Sequence, residues 1–195
     1  MNTLWMYWHF KNAIKDKDRK KIKRMASKGG YIKGGVMGKD GKDKEGGDSR
    51  DTDVSFSNDK YFYDLLCHFV EEANKEAEWR FDIDWYEDVQ IAKYKKNQHY
   101  GWHNDGVSDH SGKYSGDEKN FSNRVRKLSL VALLSNGYSG GEFMIQSPYK
   151  DEPEKPDLVI GDVIVFPSYL QHTSTPITKG IKYSMSMWCL GPPFK

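Results

Sequence analysis

The sequence predicts an α+β domain, mainly β, with helices confined to its N-terminal part and a β-sandwich or jelly roll of short antiparallel strands behind them. Three observations lead there. Apolar residues recur at three- and four-residue spacing between residues 58 and 78. The stretches KLSLVALL, GGEFMIQ, DLVIGDVIVFP and IKYSMSMWCL are short, rich in strand formers and separated by turn residues. The chain has 195 residues and 14% aromatics, enough for one domain with a real core and too few for two ordinary ones.

Taken in order, Leu4 to Ile14 is aromatic and opens as a strand. The run KDKDRKKIKRMA at 15–26 offers only Ile22 and Met25 as apolar contacts, the mark of a solvated helix resting lightly on a core. Residues 28–53 hold eight glycines and almost no apolar residue, which predicts a long mobile loop, either a plain insertion or a lid. Ser57 or Asn58 can cap a helix running to about Glu78, with Phe62, Leu65, Leu66, Phe69, Val70 and Ala73 along one stripe. DWYEDVQIAKY alternates as a half-buried strand, and KKNQH turns. KLSLVALL and GGEFMIQ, separated by SNGYS, read as a hairpin. DLVI and VIVFP flank a tight turn at Gly161-Asp162, and IKYSMSMWCL is a further alternating strand. The expected organisation is one domain over 1–195: a helical support over 1–80 that carries the loop 28–53, and a jelly-roll core over 85–195.

Composition excludes several classes. No window approaches the ~18 uninterrupted apolar residues of a membrane span. The N-terminus has neither a basic start nor a long apolar run, so a non-secreted, cytoplasmic protein is expected. Cys67 and Cys189 match neither a zinc spacing nor a disulfide framework. The formal charge is +2. It hides an asymmetry, since residues 1–53 carry 14 Lys/Arg against 8 Asp/Glu. Those lysines alternate with aspartates and have few aromatic neighbours, a poor platform for nucleic acid.

The chemistry concentrates after residue 94. His103 and Asp105 are one residue apart, so on a strand both leave the same face and can share an ion. On its own such a pair recurs by chance. His172, which follows an apolar strand, offers a third ligand. Two histidines and one carboxylate make a facial set that leaves three positions of an octahedral ion open, which suits ferrous iron better than zinc. Lys182 and Ser184 then stand on one strand face, a cation and a hydroxyl suited to a dicarboxylate. His99 and His110 lie nearby in a turn and a polar loop, while His9 and His68 show no partner pattern. The glycines of GGEF at 140–143 allow the strand to turn.

With these residues in place, the chain resembles the prolyl 4-hydroxylase-like Fe(II)/2-oxoglutarate dioxygenases, including the bacterial and phage hydroxylases. The resemblance covers Val89 to Pro192. It rests on Tyr94-x5-Tyr100-x2-His103-x-Asp105, on KLSLVALLSNGYSGGEF, on Gly161-Asp162, and on His172 with Pro176, Thr178, Gly180 and Lys182. It implies a double-stranded β-helix with the N-terminal helices packed on one sheet. It also implies iron on His103, Asp105 and His172, with Lys182, Tyr94 and Ser184 binding 2-oxoglutarate. Tyr100 would orient substrate, with Arg124 or Arg126 as a substrate-binding arginine and Trp188 packed in the core. Leu133 departs from the pattern, because relatives often carry a tyrosine there.

The implied activity is hydroxylation of an unactivated C–H, with O2 as second co-substrate, succinate and CO2 as products and ascorbate as reductant. Asp105 favours hydroxylation over halogenation, since halogenases of this kind lack that carboxylate. A prolyl residue in a peptide or protein is the expected substrate. A free amino acid, a nucleic-acid demethylase and a non-catalytic jelly-roll metal module are the rivals. The loops 28–53 and 106–127 are expected to close over substrate; oligomeric state is left open.

Overall fold

In a computed structural model of the chain, the described residues are 5–37, 43–45, 47–106 and 124–194. The N-terminal part supplies β1 (Trp8–Phe10), α1 (Asp16–Gly29), β2 (Ile32–Lys33), β3 (Gly35–Met37), β4 (Asp43–Glu45), β5 (Arg50–Asp51), β6 (Asp53–Ser57) and α2 (Lys60–Glu76). The strand-rich remainder supplies β7 (Trp85–Tyr86), β8 (Val89–Tyr94), β9 (His99–His103), β10 (Val125–Leu133) and β11 (Ser139–Gly140). It continues through β12 (Phe143–Ile145), β13 (Val163–Pro167), β14 (His172–Ser174), β15 (Ile177–Lys179) and β16 (Lys182–Gly191).

The major sheet has the order β1-β13-β10-β16-β8-β6-β2, with β7 attached to β16, and the minor sheet the order β12-β14-β9-β5. From β8 onward the chain alternates between them: β8, β10, β13 and β16 lie in the major sheet, β9, β12 and β14 in the minor. That alternation is a jelly roll. It corrects the expected hairpin of KLSLVALL with GGEFMIQ, because β10 pairs with β13 and β16 whereas β12 pairs with β14. Gly140 and Gly141, at φ +72° and +66°, turn the chain from one sheet to the other.

Both helices cover the outer face of the major sheet. Ile22 and Ala26 of α1 and Phe62, Leu66, Val70 and Ala73 of α2 are buried against Val89, Ile91, Leu128, Leu130, Ala132, Met185 and Met187. Period-two alternation then aims the intervening residues at the minor sheet. On β16 these are Lys182, Ser184, Ser186 and Trp188; on β8, Gln90 and Tyr94; on β10, Val131. The inner face is thus polar because the same strands spend their apolar residues on the helices. Among the described residues no helix is long and apolar enough to cross a membrane.

Three local expectations are corrected. Asp59, not Ser57 or Asn58, caps α2: its carboxylate accepts the Tyr61 N–H at 2.9 Å, while Ser57 still belongs to β6. DLVI forms no strand, since Asp162 in the adjoining turn accepts the Asn12 and Val159 N–H groups. His9, expected to lack a partner, pairs with Asp162 at 2.8 Å.

The segment 28–53 is not a loop over its described residues, which end α1 and form β2, β3, β4 and β5. Its strands lie at sheet edges or in a separate hairpin, where no apolar alternation is needed. Residues 38–42 and 46 of this segment lie outside the described residues, as do 107–123 of the expected loop 106–127 and, with them, His110.

Candidate metal centre and co-substrate pocket

The cluster grows from the edge where β9 meets β14. His172 and His103 are register partners across that pair, so their side chains leave together. Asp105, two residues beyond His103, is fixed as its N–H donates to Ser168 O at 3.0 Å. One ligand atom from each of His103, Asp105 and His172 lies within 4.8 Å of the other two.

Hydrogen bonding sets the tautomers. Nδ1 of His103 faces Gly101 O at 2.8 Å and Nδ1 of His172 faces Leu170 O at 3.0 Å. A carbonyl only accepts, so Nδ1 carries the proton and Nε2 keeps a lone pair. Those lone pairs face the Asp105 carboxylate, at 3.7 Å for His103 and 3.4 Å for His172. Burial is the largest influence on His103 and, with His172 beside it, holds the imidazole down to about 4. For Asp105, burial pushes the carboxyl up, but His172, His103, Arg126 and the Ser129 hydroxyl outweigh it and hold it at about 2. Two imidazole nitrogens and a carboxylate oxygen thus converge, an arrangement that a shared cation stabilises. Two imidazoles and a carboxylate, without thiolate, fit a divalent first-row ion such as Fe(II). Ser129 Oγ donates to Asp105 Oδ2 at 2.7 Å and orients it.

Lys182, Ser184, Tyr94 and Tyr100 line one cavity with the three ligand-type residues. Lys182 is buried and its Nζ donates to Gly141 O at 2.7 Å and Ser174 Oγ at 2.8 Å. Burial lowers its pKa to about 8. Tyr94, also buried, has its ring centroid 5.5 Å from that ammonium. Tyr100 stacks on His103 with centroids 3.5 Å apart.

The two arginines separate. Arg126 grips both oxygens of Glu87 at 2.6 Å, donates to Asp105 O at 3.0 Å and lies 4.3 Å from the Trp188 ring centroid. A bulge at Lys127 turns it inward. Arg124 instead meets Asp84 at 2.8 Å, and neither arginine is among the described residues that line the cavity. Trp188, expected in the core, is buried as expected and also lines the cavity, and its indole N–H has no hydrogen-bond partner among the described residues.

Two contributors escaped the sequence reading. Arg50 is buried, donates to Gln90 Oε1 at 2.8 Å and Gly35 O at 2.7 Å, and sits 4.4 Å from the Tyr100 ring centroid. It lies in the glycine-rich segment, where no pattern marked it. Glu87 sits in the break between β7 and β8, which interrupts an otherwise alternating run.

Comparison with known proteins places this geometry. A profile of the 2OG-Fe(II) oxygenase superfamily matches residues 89–190, just over half of the chain. The PKHD-type hydroxylase of Pseudomonas putida strain W619 is 31% identical over 101 residues, covering 50% of this chain and 41% of that protein. YbiX, a PKHD-type hydroxylase of Escherichia coli O6:K15:H31, is 32% identical over 99 residues, 49% of this chain and 40% of its own length. The chain therefore spans about two-fifths of the length of the curated relatives it matches.

Among solved structures, a viral collagen prolyl hydroxylase from Paramecium bursaria Chlorella virus-1, in its 2OG complex, superposes with a TM-score of 0.68 at 20% identity, covering 96% of this chain and 97% of the other. A prolyl hydroxylase from Trichoplax adhaerens, bound to a hypoxia inducible factor peptide fragment, gives 0.71 at 13% identity, covering 94% and 83%. At these identities the likeness shows the fold, the jelly roll already described. The profile match takes in β8 through β16 up to Leu190, hence every residue of the cluster and its pocket, and the chain belongs to the 2OG-Fe(II) oxygenase superfamily.

Proposed function

We propose that this protein is an Fe(II)- and 2-oxoglutarate-dependent dioxygenase that hydroxylates an unactivated C–H, most simply of a prolyl residue in a peptide or protein, in a cytoplasmic setting. The observation that carries this reading is the meeting of His103, Asp105 and His172 with Lys182 in one cavity. His103, Asp105 and His172 hold Fe(II) through two Nε2 atoms and a carboxylate oxygen. Iron bound there would activate O2, the oxidant, so that one of its oxygen atoms goes into succinate as 2-oxoglutarate loses CO2 and the other into the C–H bond.

The chain's own residues do the rest. Lys182 neutralises the distal carboxylate of 2-oxoglutarate, and its tethers to Gly141 O and Ser174 Oγ hold it in place. The hydroxyls of Tyr94 and Ser184 hydrogen-bond the co-substrate. Tyr100 orients substrate above the metal position and keeps water from that side. Arg126 acts as a positioning residue, bracing Asp105 through its carbonyl, and Trp188 offers the substrate an indole N–H. Arg124, held by Asp84, takes no part in this scheme. Ascorbate serves as reductant.

The peptide assignment draws support from the prolyl hydroxylase folds and from the peptide held by the Trichoplax adhaerens protein. Incubation with Fe(II), 2-oxoglutarate, ascorbate and proline-rich peptides should add ~16 Da, one oxygen atom. Succinate with demethylated oligonucleotides and no oxidised peptide would move the substrate to nucleic acid. No succinate at all would favour a binding module.

A further inference from the structure

The two ends of the co-substrate cavity differ. Across β8 and β16, Lys182 pairs with Tyr94, Ser184 with Ala92 and Ser186 with Gln90. Four residues of strand, ~13 Å, thus separate the row of Lys182 from the row of Gln90. A five-carbon diacid anchored on Lys182 is shorter than that, so Gln90 belongs to the end that the co-substrate leaves open. Gln90 is buried and lines the cavity there, together with Ser186 and Trp188 of β16.

Arg50 fixes how Gln90 presents itself. It starts from β5 in the minor sheet, as the register partner of Tyr100, and reaches across to Gln90 on β8 in the major sheet. Gly34 leaves room for it, since a Cβ there would fall 2.8 Å from Arg50 Nε. Among the described residues no carboxylate pairs with this buried guanidinium, whose hydrogen bonds go to Gly35 O and Gln90 Oε1. A guanidinium only donates, so the amide oxygen of Gln90 faces it and the NH2 group faces away. That NH2 group has no partner among the described residues, and it is not sealed in as Arg50 Nε is. The charge on Arg50 also polarises the amide and strengthens its N–H groups as donors. Gln90 therefore offers donors, and no acceptor, to the cavity.

Resting on the dioxygenase reading above, we infer that Gln90 is a specificity-determining residue on the substrate side, its N–H groups receiving the oxygen of an X–Pro peptide bond while Arg50 positions it. An X–Pro bond suits such a wall because it carries an oxygen and no N–H. A peptide N–H turned to the same place would meet a donor and stay unpaired.

The test is calorimetric binding of an acetylated polyproline peptide to the whole protein loaded with Mn(II) and 2-oxoglutarate. Gln90→Glu keeps the size of the side chain and gives Arg50 a carboxylate, but it turns an oxygen to the cavity in place of the NH2 group. It should weaken peptide binding by about 5- to 150-fold, and Gln90→Met, which only removes the donor, by about two- to tenfold. Affinity for 2-oxoglutarate, titrated without peptide, should stay at the parent value in both variants. Thermal melts report folding; should Gln90→Glu not fold, the split between peptide and 2-oxoglutarate in Gln90→Met decides. Peptide affinity of Gln90→Glu at the parent value means that Gln90 serves only to hold Arg50, and overturns the inference. So does a matching loss of 2-oxoglutarate affinity. If the parent protein binds 2-oxoglutarate but not the peptide, the prolyl assignment fails and this inference with it. If it does not bind 2-oxoglutarate, the dioxygenase reading itself fails.

Discussion

The ring of Tyr100 lies flat on that of His103, centroids 3.5 Å apart and planes 10° from parallel, although the two stand three positions apart on one strand. Residues three apart on a regular strand face opposite ways. The register explains the exception: His172 pairs with His103 and Ser174 with Tyr100, so two residues of β14 span three of β9. A bulge has added one residue at Gly101-Trp102 and turned Tyr100 to the inner face. Arg50 lies near the same phenol ring at 4.4 Å.

This stack should hold the metal centre in shape. An aromatic pair contributes about 0.5–1.5 kcal/mol beyond its burial, or about two- to tenfold in an equilibrium. Tyr100→Ala should weaken Fe(II) binding by that factor in an anaerobic titration, whereas Tyr100→Phe should match the parent protein.

Ser129 acts through Asp105. Its hydroxyl, also 2.8 Å from Ser168 Oγ, orients the carboxylate. Outer partners of metal ligands are worth about 10- to 100-fold in metal affinity, and Ser129→Ala should lose at least the smaller factor in the same titration.

Glu87 is buried and bound at both oxygens by Arg126. Glu87→Ala takes that bidentate partner from a part-buried guanidinium that keeps Asp105 O and the Trp188 ring beside it, a change that costs about 1–3 kcal/mol. Urea unfolding should show a loss of that order, and Glu87→Gln a smaller one.

Lys182 links function to pH. Burial lowers its pKa from 10.5 to about 8, so it is protonated below that pH and neutral above. A dianion binds the protonated form. Affinity for 2-oxoglutarate should be level below pH 8 and fall as pH rises beyond it, with proton uptake on binding in that upper range. For stability the sign reverses: between pH 8 and 10.5 the unfolded chain holds the extra proton, so the folded state gains as pH rises through that window. Lys182→Met should raise the melting temperature at pH 7 by removing a buried charge, and should abolish both co-substrate binding and its pH dependence.

How much of this was legible in the sequence depended on whether the cause was local. The stripe of α2 and the alternation that puts Lys182 and Ser184 on one face of β16 follow from helix and strand periodicity. His103-x-Asp105 was visible for the same reason. The rest depends on distant pairing. β10 and β12 look like a hairpin because they are adjacent and apolar, yet each finds its partners in a different sheet. Tyr100 and Arg126 owe their direction to bulges, which a sequence does not display. Arg50 is hidden in a glycine-rich segment whose edge strands need no apolar pattern, and the burial of Trp188 follows from the sequence whereas its place on the cavity wall does not, because a tryptophan on an alternating strand gives no sign of which face is wet.

The central claim is that His103, Asp105 and His172 hold the iron at which 2-oxoglutarate is consumed. Succinate formation from 2-oxoglutarate, measured for the parent protein and for His172→Ala under air and with added Fe(II), tests it most directly. The parent should form succinate only when both iron and oxygen are present, and His172→Ala should form none while keeping its folded melting transition. Succinate production by His172→Ala at the parent rate would contradict the assignment.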